Sequence, residues 1–500
     1  MSDTRSTRQG NGSLRSNIHE LYHQRLDPLP PAEELGRIHF VGIGGVGMAP
    51  VARVALERGL PVSGSDIKRT PTVDELEQDG AVVSIGQRPE NLDGVDTVVI
   101  SNGLRADNIE IVAARERGLR VIHRATALAS LMVGRTSVLV AGTHGKTTTT
   151  SMLAVALTEL GLDPSYMVGG EIGATGVSGH AGKGEVFVAE ADESDGTFTH
   201  YEPDIAVVTN VELDHPDYFE SVDAVYEAFK DFVDRIKPGG TLVACVDDPG
   251  ARIVIEHARA RGVAVRTYGA DESADVRITD VTLANGSSNA VLADGTALEL
   301  NMTGRHNVEN AAAAATVLSA FVSLEAAAKS LAHFTGARRR MELIGEVGGV
   351  LVYDDYMHHP TEIAATLAAY RELAGEGRLI VAFQPQRYSR AQAFLREYGP
   401  PLGAADLVAV LEVYPGSGED PIPGVTGSVI ANDVPLPAEQ VVFAPDTDRV
   451  PALLADWARP GDVVVTAGAG NVTTVGPKLL ALLRERAETG RAGSAGTSRG

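Results

Sequence analysis

Residues 137–161 read SVLVAGTHGKTTTTSMLAVALTELG, and three signals follow one another along that line. A β-branched apolar run ends at Val140, Gly142 and Gly145 bracket a tight turn, and Lys146-Thr147 opens a run of helix formers. Strand, glycine turn and helix in that order make a phosphate loop: backbone amides point at phosphate oxygens and the helix N-terminus adds positive potential. The expected nucleotide contacts are Gly142, Thr143, His144, Gly145, Lys146, Thr147 and Thr148. Lys146 is placed against the β- and γ-phosphates and the Thr147 hydroxyl on Mg²⁺. The spacing is G-x-x-G-K-T, because Val140 stands where the standard G-x-x-x-x-G-K-[ST] loop has its first glycine.

The same alternation extends in both directions. Upstream, IHFVGI, PVSGSD, DTVVIS and LRVIH alternate with helix-like segments; downstream, GVLVYDDYMHHPTEIAATLAAYRE and RLIVAFQPQRYSR open another set that ends in DVVVTAGAGNVTTVGPKLLALLRER. Alternating strand and helix patterns predict an α/β protein with parallel sheets. In 500 residues the rhythm restarts twice, which predicts three domains at 36–123, 124–336 and 337–487, with flexible tails at 1–35 and 488–500.

HFVGIGGVGMAP, residues 39–50, holds a second glycine turn, G-x-G-x-x-G through Gly42, Gly44 and Gly47, with Gly45 between them. Asp66 follows Gly47 by 19 residues, the spacing of a dinucleotide fingerprint with its ribose-binding acid. A nicotinamide-dependent oxidoreductase is the reading this loop suggests alone, and it leaves the phosphate loop and the acidic loops unexplained.

Those acidic loops sit where open α/β sheets place ligands, at strand ends. VAEADESDG offers Glu190, Asp192, Glu193 and Asp195, and TNVELDHPD offers Glu212, Asp214 and His215. Hard carboxylate oxygens after a phosphate loop suit Mg²⁺. TGRHNVENAAAAATVL places Asn307 and Asn310 before an alanine-rich helix, where their amides either read an adenine edge or cap the helix.

In this order, HFVGIGGVGM, AGTHGKTTTT, AEADESD, DH-P-D, GRHN-x-x-N, YDDYMHHPTEI and FQPQRYSR resemble the Mur ligases over residues 36–487. They most resemble the branch acting on L-alanine and UDP-N-acetylmuramate. The resemblance implies an N-terminal Rossmann-like domain for the UDP-sugar, a central P-loop ATPase domain and a C-terminal Rossmann-like domain for the amino acid. It implies ATP with two Mg²⁺ ions (Mn²⁺ substituting), and a carboxylate made into an acyl phosphate that the amine then attacks. Carried over by motif, Lys146, Thr147 and Glu190 hold phosphate and metal, His215 binds a second ion, and Asn307 and Asn310 match adenine contacts. Arg339 and Arg340 match an arginine pair at the entry to the last domain, and Gly42, Gly44, Gly45, Gly47 and Asp66 become UDP-sugar contacts. Tyr356, Arg387 and Arg390 are assigned to substrate, the arginines as carboxylate or phosphate binders, and His358 is a candidate general base.

Two positions depart from the family: Met357 replaces a small residue, and Gln386 stands where histidine is common. The lysine that related ligases carbamylate has Phe229 in its place, with Lys230 one residue off, so carbamylation is not expected. A ligase adding a murein tripeptide to the same UDP-sugar shares these motifs, and a nucleotide-binding regulatory module is the non-enzymatic alternative.

Composition narrows the remaining classes. A net charge of −23 argues against a general nucleic-acid partner, which needs a basic surface. One cysteine, Cys245 in the apolar run TLVACV, rules out an intramolecular disulfide and is expected as a core thiol. Neither a membrane-length apolar run nor the apolar centre of a signal peptide is visible, so a cytoplasmic protein without membrane insertion is expected. Oligomeric state is left open.

Overall fold

The computed structural model describes residues 22–173, 175–284, 286–416 and 419–495. The chain is α/β, and its contacts divide it into two compact units: 1–212, 223–277 and 313–330 in the first, 213–222, 278–312 and 331–500 in the second.

The first unit contains a five-stranded parallel sheet of β1 (Ile38–Val41), β2 (Val62–Asp66), β3 (Val82–Ile85), β4 (Thr97–Ile100) and β5 (Arg120–His123). Its order is β3-β2-β1-β4-β5. β1 (IHFV) and β4 (TVVI) are buried along their whole length, as mostly apolar strands covered on both faces must be. The order reverses between β1 and β4, which opens a crevice at their carboxyl ends. Gly42–Gly47 follows β1, Asp66 ends β2, and Arg124 follows β5.

A second sheet of the same unit uses β6 (Thr136–Ala141), β7 (Ser165–Met167), β8 (Gly179–His180), β9 (Val186–Glu190), β10 (Ile205–Val208), β11 (Thr241–Cys245) and β12 (Ala264–Gly269). β6 lies between β10 and β9 and pairs parallel to both. The phosphate loop leaves β6, the EADES loop leaves β9, and Thr209-Asn210 follows β10, so neighbouring strands deliver all three to one edge. Cys245 is buried in β11, as its apolar run implies.

From residue 278 onward, in the second unit, β13 (Val276–Ala284), β14 (Ser287–Leu292) and β15 (Ala297–Leu300) pair antiparallel. Its larger sheet has β16 (Glu342–Val347), β17 (Val350–Asp355), β18 (Leu379–Phe383), β19 (Leu407–Val410), β20 (Val441–Phe443) and β21 (Val463–Ala467). The order is β16-β17-β21-β18-β19-β20, with β16 the antiparallel edge. LIVAF in β18 shows why it sits centrally: Leu379, Val381 and Phe383 join one core, Ile380 and Ala382 the other. A period of two feeds both faces.

Part of the expected N-terminal tail packs. Tyr22 is buried and donates a hydrogen bond to the Leu104 carbonyl (3.0 Å), and the 3₁₀ turn Ala32–Leu35 buries Ala32 and Leu35. The last helix, Val475–Ala495, continues past residue 487. Residues 1–21 and 496–500 of the expected tails lie outside the described residues. Among the described residues no helix is long and apolar enough to cross a membrane.

Candidate active site

The first glycine loop is braced by one carboxylate. Asp66 Oδ2 accepts from the Gly44 amide at 3.0 Å, and Oδ1 accepts from Lys68 N at 3.4 Å. Gly42 has φ +77° with open space around it, and Val46 is 84% exposed, so the loop mouth is open. Asp66 in this structure holds the loop's shape.

The phosphate loop is tighter. Gly142 has φ +136°, and a Cβ there would stand 1.9 Å from Thr209 Oγ1, so no side chain fits. Thr143 N donates to the Asn210 carbonyl (3.0 Å) and His144 N to Asn210 Oδ1 (2.7 Å), tying the loop to the end of β10. His144 Nε2 pairs with Glu212. Gly145, in the left-handed region, precedes the helix Lys146–Glu159.

Four residues expected to work together are together. Lys146 Nζ donates to the Glu193 carboxylate (2.9 Å) and to the carbonyls of Gly142 (2.5 Å) and Thr143 (3.1 Å). Thr147 Oγ1 donates to Glu190 Oε2 at 3.2 Å. Burial opposes the Lys146 charge, but Glu193, Asp192 and Glu190 outweigh it and hold its pKa above the usual lysine range. An anion entering the loop therefore competes with Glu193 for an ammonium that is already charged. A carboxylate and a hydroxyl at a helix N-terminus are hard oxygen donors of the kind Mg²⁺ takes.

The second unit holds the other expected residues. His215 has φ +54°, and its amide bonds Asp214 Oδ1 (2.7 Å). Arg390, 4% exposed, forks onto Asp214 at 2.9 and 3.2 Å and reaches His215 Nδ1 at 3.3 Å. A guanidinium only donates, so Nδ1 of His215 accepts. Burial opposes the Asp214 charge, yet His215 and Arg390 hold its carboxyl far below the usual range. Arg387 is held by Asp217 (2.8 Å) and Glu419 (2.8 Å). Both arginines expected to meet substrate are thus paired with carboxylates of this chain.

His358 lies beside this pair. Its Nδ1 is 3.0 Å from the Tyr356 carbonyl, which puts a proton on Nδ1 and leaves Nε2 the lone pair. Burial first and Arg390 second depress its pKa to about 3. That direction favours the neutral ring.

Arg339 and Arg340 converge on one aromatic ring. Their guanidinium carbons lie 5.1 and 5.2 Å from the Tyr356 centroid, within cation–π range. Arg339, with φ +58°, also donates to Asp354 (2.8 Å) and the Gly468 carbonyl (2.6 Å). Asp355 accepts from the amides of Met341 (2.8 Å) and Met357 (2.9 Å) and from the Tyr370 hydroxyl (3.2 Å); burial raises it to about 6. Asp354 and Asp355 were not picked out in the sequence, although two acids closing an apolar strand are a visible signal. Met357 is fully buried in the core. Asn307 and Asn310 lie inside the helix Arg305–Leu318 rather than before it, spaced to share one face. Asn307 Nδ2 donates to the Thr303 carbonyl at 2.7 Å.

Family models match the chain in three consecutive parts: the Mur ligase family catalytic domain at 37–136, the Mur ligase middle domain at 140–318, and the Mur ligase glutamate ligase domain at 339–470. UDP-N-acetylmuramate–L-alanine ligase of Kineococcus radiotolerans is 52% identical over 90% of this chain and 97% of its own length. The enzyme of that name from Acidothermus cellulolyticus is 50% identical over 92% and 97%. The crystal structure of UDP-N-acetylmuramate–alanine ligase from Thermotoga maritima matches with a TM-score of 0.73 at 25% identity, covering 90% of this chain and 99% of that one. A murein peptide ligase from Psychrobacter arcticus matches with a TM-score of 0.63 at 27% identity, covering 90% and 98%. The chain belongs to the Mur ligase family.

Proposed function

We propose that the protein joins L-alanine to the lactyl carboxylate of UDP-N-acetylmuramate with conversion of ATP to ADP and phosphate, a step of peptidoglycan precursor synthesis. The observation that carries this is the pair of glycine loops in one unit, only one of which brings its own cation. Lys146, Thr147, Glu190 and Glu193 suit ATP. The open loop beside Asp66 is then available for the diphosphate of the other substrate.

A free carboxylate is a poor electrophile, so it attacks the γ-phosphorus first and becomes an acyl phosphate. The α-amine of alanine then attacks the activated carbonyl, and the tetrahedral intermediate expels phosphate and leaves an amide. Lys146 neutralises charge on the transferring group. Thr147 and Glu190 would hold Mg²⁺, which supplies charge neutralisation at the phosphates. A second ion, with Mn²⁺ able to replace either, would use His215 once its Nδ1 leaves Arg390. We assign Asn307, Asn310 and the Arg339–Arg340 pair to the nucleotide, and Tyr356, Arg387 and Arg390 to the amino-acid side. His358 serves there as a neutral hydrogen-bond partner; its depressed pKa speaks against the general-base role expected from sequence. Domain limits of 36–123, 124–336 and 337–487 accompany this reading, as does a cytoplasmic location, where ATP and UDP-sugars are found.

The test is ADP release with UDP-N-acetylmuramate and, in turn, L-alanine, glycine, L-serine and the murein tripeptide. Stimulation by L-alanine above the others is expected. Stimulation by the tripeptide alone would replace this reading with the tripeptide ligase, and NAD(P)H turnover without ATP would replace it with the oxidoreductase.

A further inference from the structure

The Gly42–Gly47 loop has no cation of its own: IGGVGMAP is uncharged, and the side chain that accepts a hydrogen bond from it, Asp66, is negative. A diphosphate bound there needs a positive charge from elsewhere. Arg124 is in place to supply it. It follows β5 at the carboxyl edge of the first sheet, and its guanidinium lies against Gly47: a Cβ on that glycine would sit 3.5 Å from Cζ, Nε and Nη1.

Two acids face Arg124 at ion-pair range. Asp192 and Asp195 stand 3.6 and 3.8 Å from Nη2, beyond the roughly 2.7–2.9 Å of a charge-assisted hydrogen bond. Asp195 is already served by Asn102 Nδ2 (2.6 Å) and the Thr197 amide (2.9 Å), and Asp192 by the Ser194 amide (3.1 Å) and hydroxyl (2.9 Å). The two acids hold the charged guanidinium beside the loop through ion pairs that are both longer than a direct charge-assisted hydrogen bond. The side chain keeps 18% of its surface exposed.

We propose that Arg124 binds the diphosphate of the UDP-sugar, supplying the charge that the first glycine loop lacks. A planar guanidinium matches two phosphate oxygens at once, whereas an ammonium meets them as a point charge. This rests on the reading of that loop as the UDP-sugar site.

The test compares UDP, UMP and UDP-N-acetylmuramate binding to the full-length protein by calorimetry, for wild type, Arg124→Gln and Arg124→Lys. Wild type should prefer UDP over UMP. Arg124→Gln should lose about tenfold in UDP and UDP-N-acetylmuramate affinity with UMP nearly unchanged, so the preference collapses. Arg124→Lys should fall between, and it carries the test should the glutamine variant not fold. An unchanged UDP-to-UMP ratio in the folded variants, or a parallel loss of both ligands, means that Arg124 only ties the two loops together and overturns the proposal. Wild type that binds neither UDP nor UDP-N-acetylmuramate overturns the functional reading and this inference together, whereas normal wild-type binding with an unchanged ratio sinks this inference alone.

Discussion

The two glycine loops of the first unit use one backbone device and differ in nearly everything around it. Gly42 has room for a side chain and the loop mouth is exposed; Gly142 is pressed against Thr209 and the loop is cross-braced by Asn210. One loop carries no charge and is braced by the Asp66 carboxylate, and the other holds a lysine caught between Glu193 and two carbonyls. A glycine turn therefore says that phosphate can approach, and the charges beside it say which phosphate. A cation carried by the loop itself suits a triphosphate whose γ-group is transferred, while an open, uncharged turn suits a diphosphate used as a handle.

The sharpest way to break this comparison is Lys146→Ala. It should lower kcat for ADP release by about 10²- to 10³-fold, the cost of losing one charge-stabilising donor. UDP-N-acetylmuramate binding, measured by calorimetry, should hardly change; a matching loss there would mean that the loops are not independent.

Next in size is Gly142→Ala, which combines a glycine-only backbone with a collision and should cost about 3 kcal/mol or more in urea unfolding. Gly42→Ala meets no atom and should cost only the left-handed backbone term, about 1–2 kcal/mol. Equal costs would remove the contrast.

Acid should take both loops together, because they share a unit. His200 is buried against Thr126 Oγ1 (2.9 Å), and burial lowers its pKa from 6.5 to about 4. Between those values the unfolded chain takes up a proton that the folded chain refuses. Stability is therefore full above pH 6.5 and falls as pH drops toward 4, by at most about 3 kcal/mol from this group. His200→Asn should flatten unfolding free energy against pH in that window, and an unaltered slope would remove His200 as the cause. The smallest effect is expected from Asp66→Ala: KM for the UDP-sugar rising about five- to tenfold with KM for ATP unchanged, from loss of the carboxylate that braces Gly44.

The contrast also explains what was legible in the sequence. The phosphate loop and the EADES acids could be read because each lies within a few residues of a strand end, where backbone geometry alone aims them. Asn307 and Asn310 were recognised by motif but placed ahead of their helix, since nothing local separates a capping asparagine from one a turn inside. Arg390 was visible as a cation, but its partner Asp214 is 176 residues away, and no spacing rule reaches that far. His358 looked like a base because histidine ordinarily titrates near neutrality. Burial and Arg390 depress its pKa, which its motif does not show.

Sequence alone therefore determined the α/β class, the position of each glycine turn and the hard oxygen donors that follow, because these depend on short-range backbone geometry and side-chain chemistry. Which charge meets which was decided only by the tertiary structure: Lys146 with Glu193, Arg390 with Asp214, Arg339 with Asp354, Arg124 beside Gly47. The physical reason is that ion pairing and desolvation depend on distances set by packing. A residue's name states the charge it can carry, and the fold determines whether that charge is neutralised at home or left for a ligand.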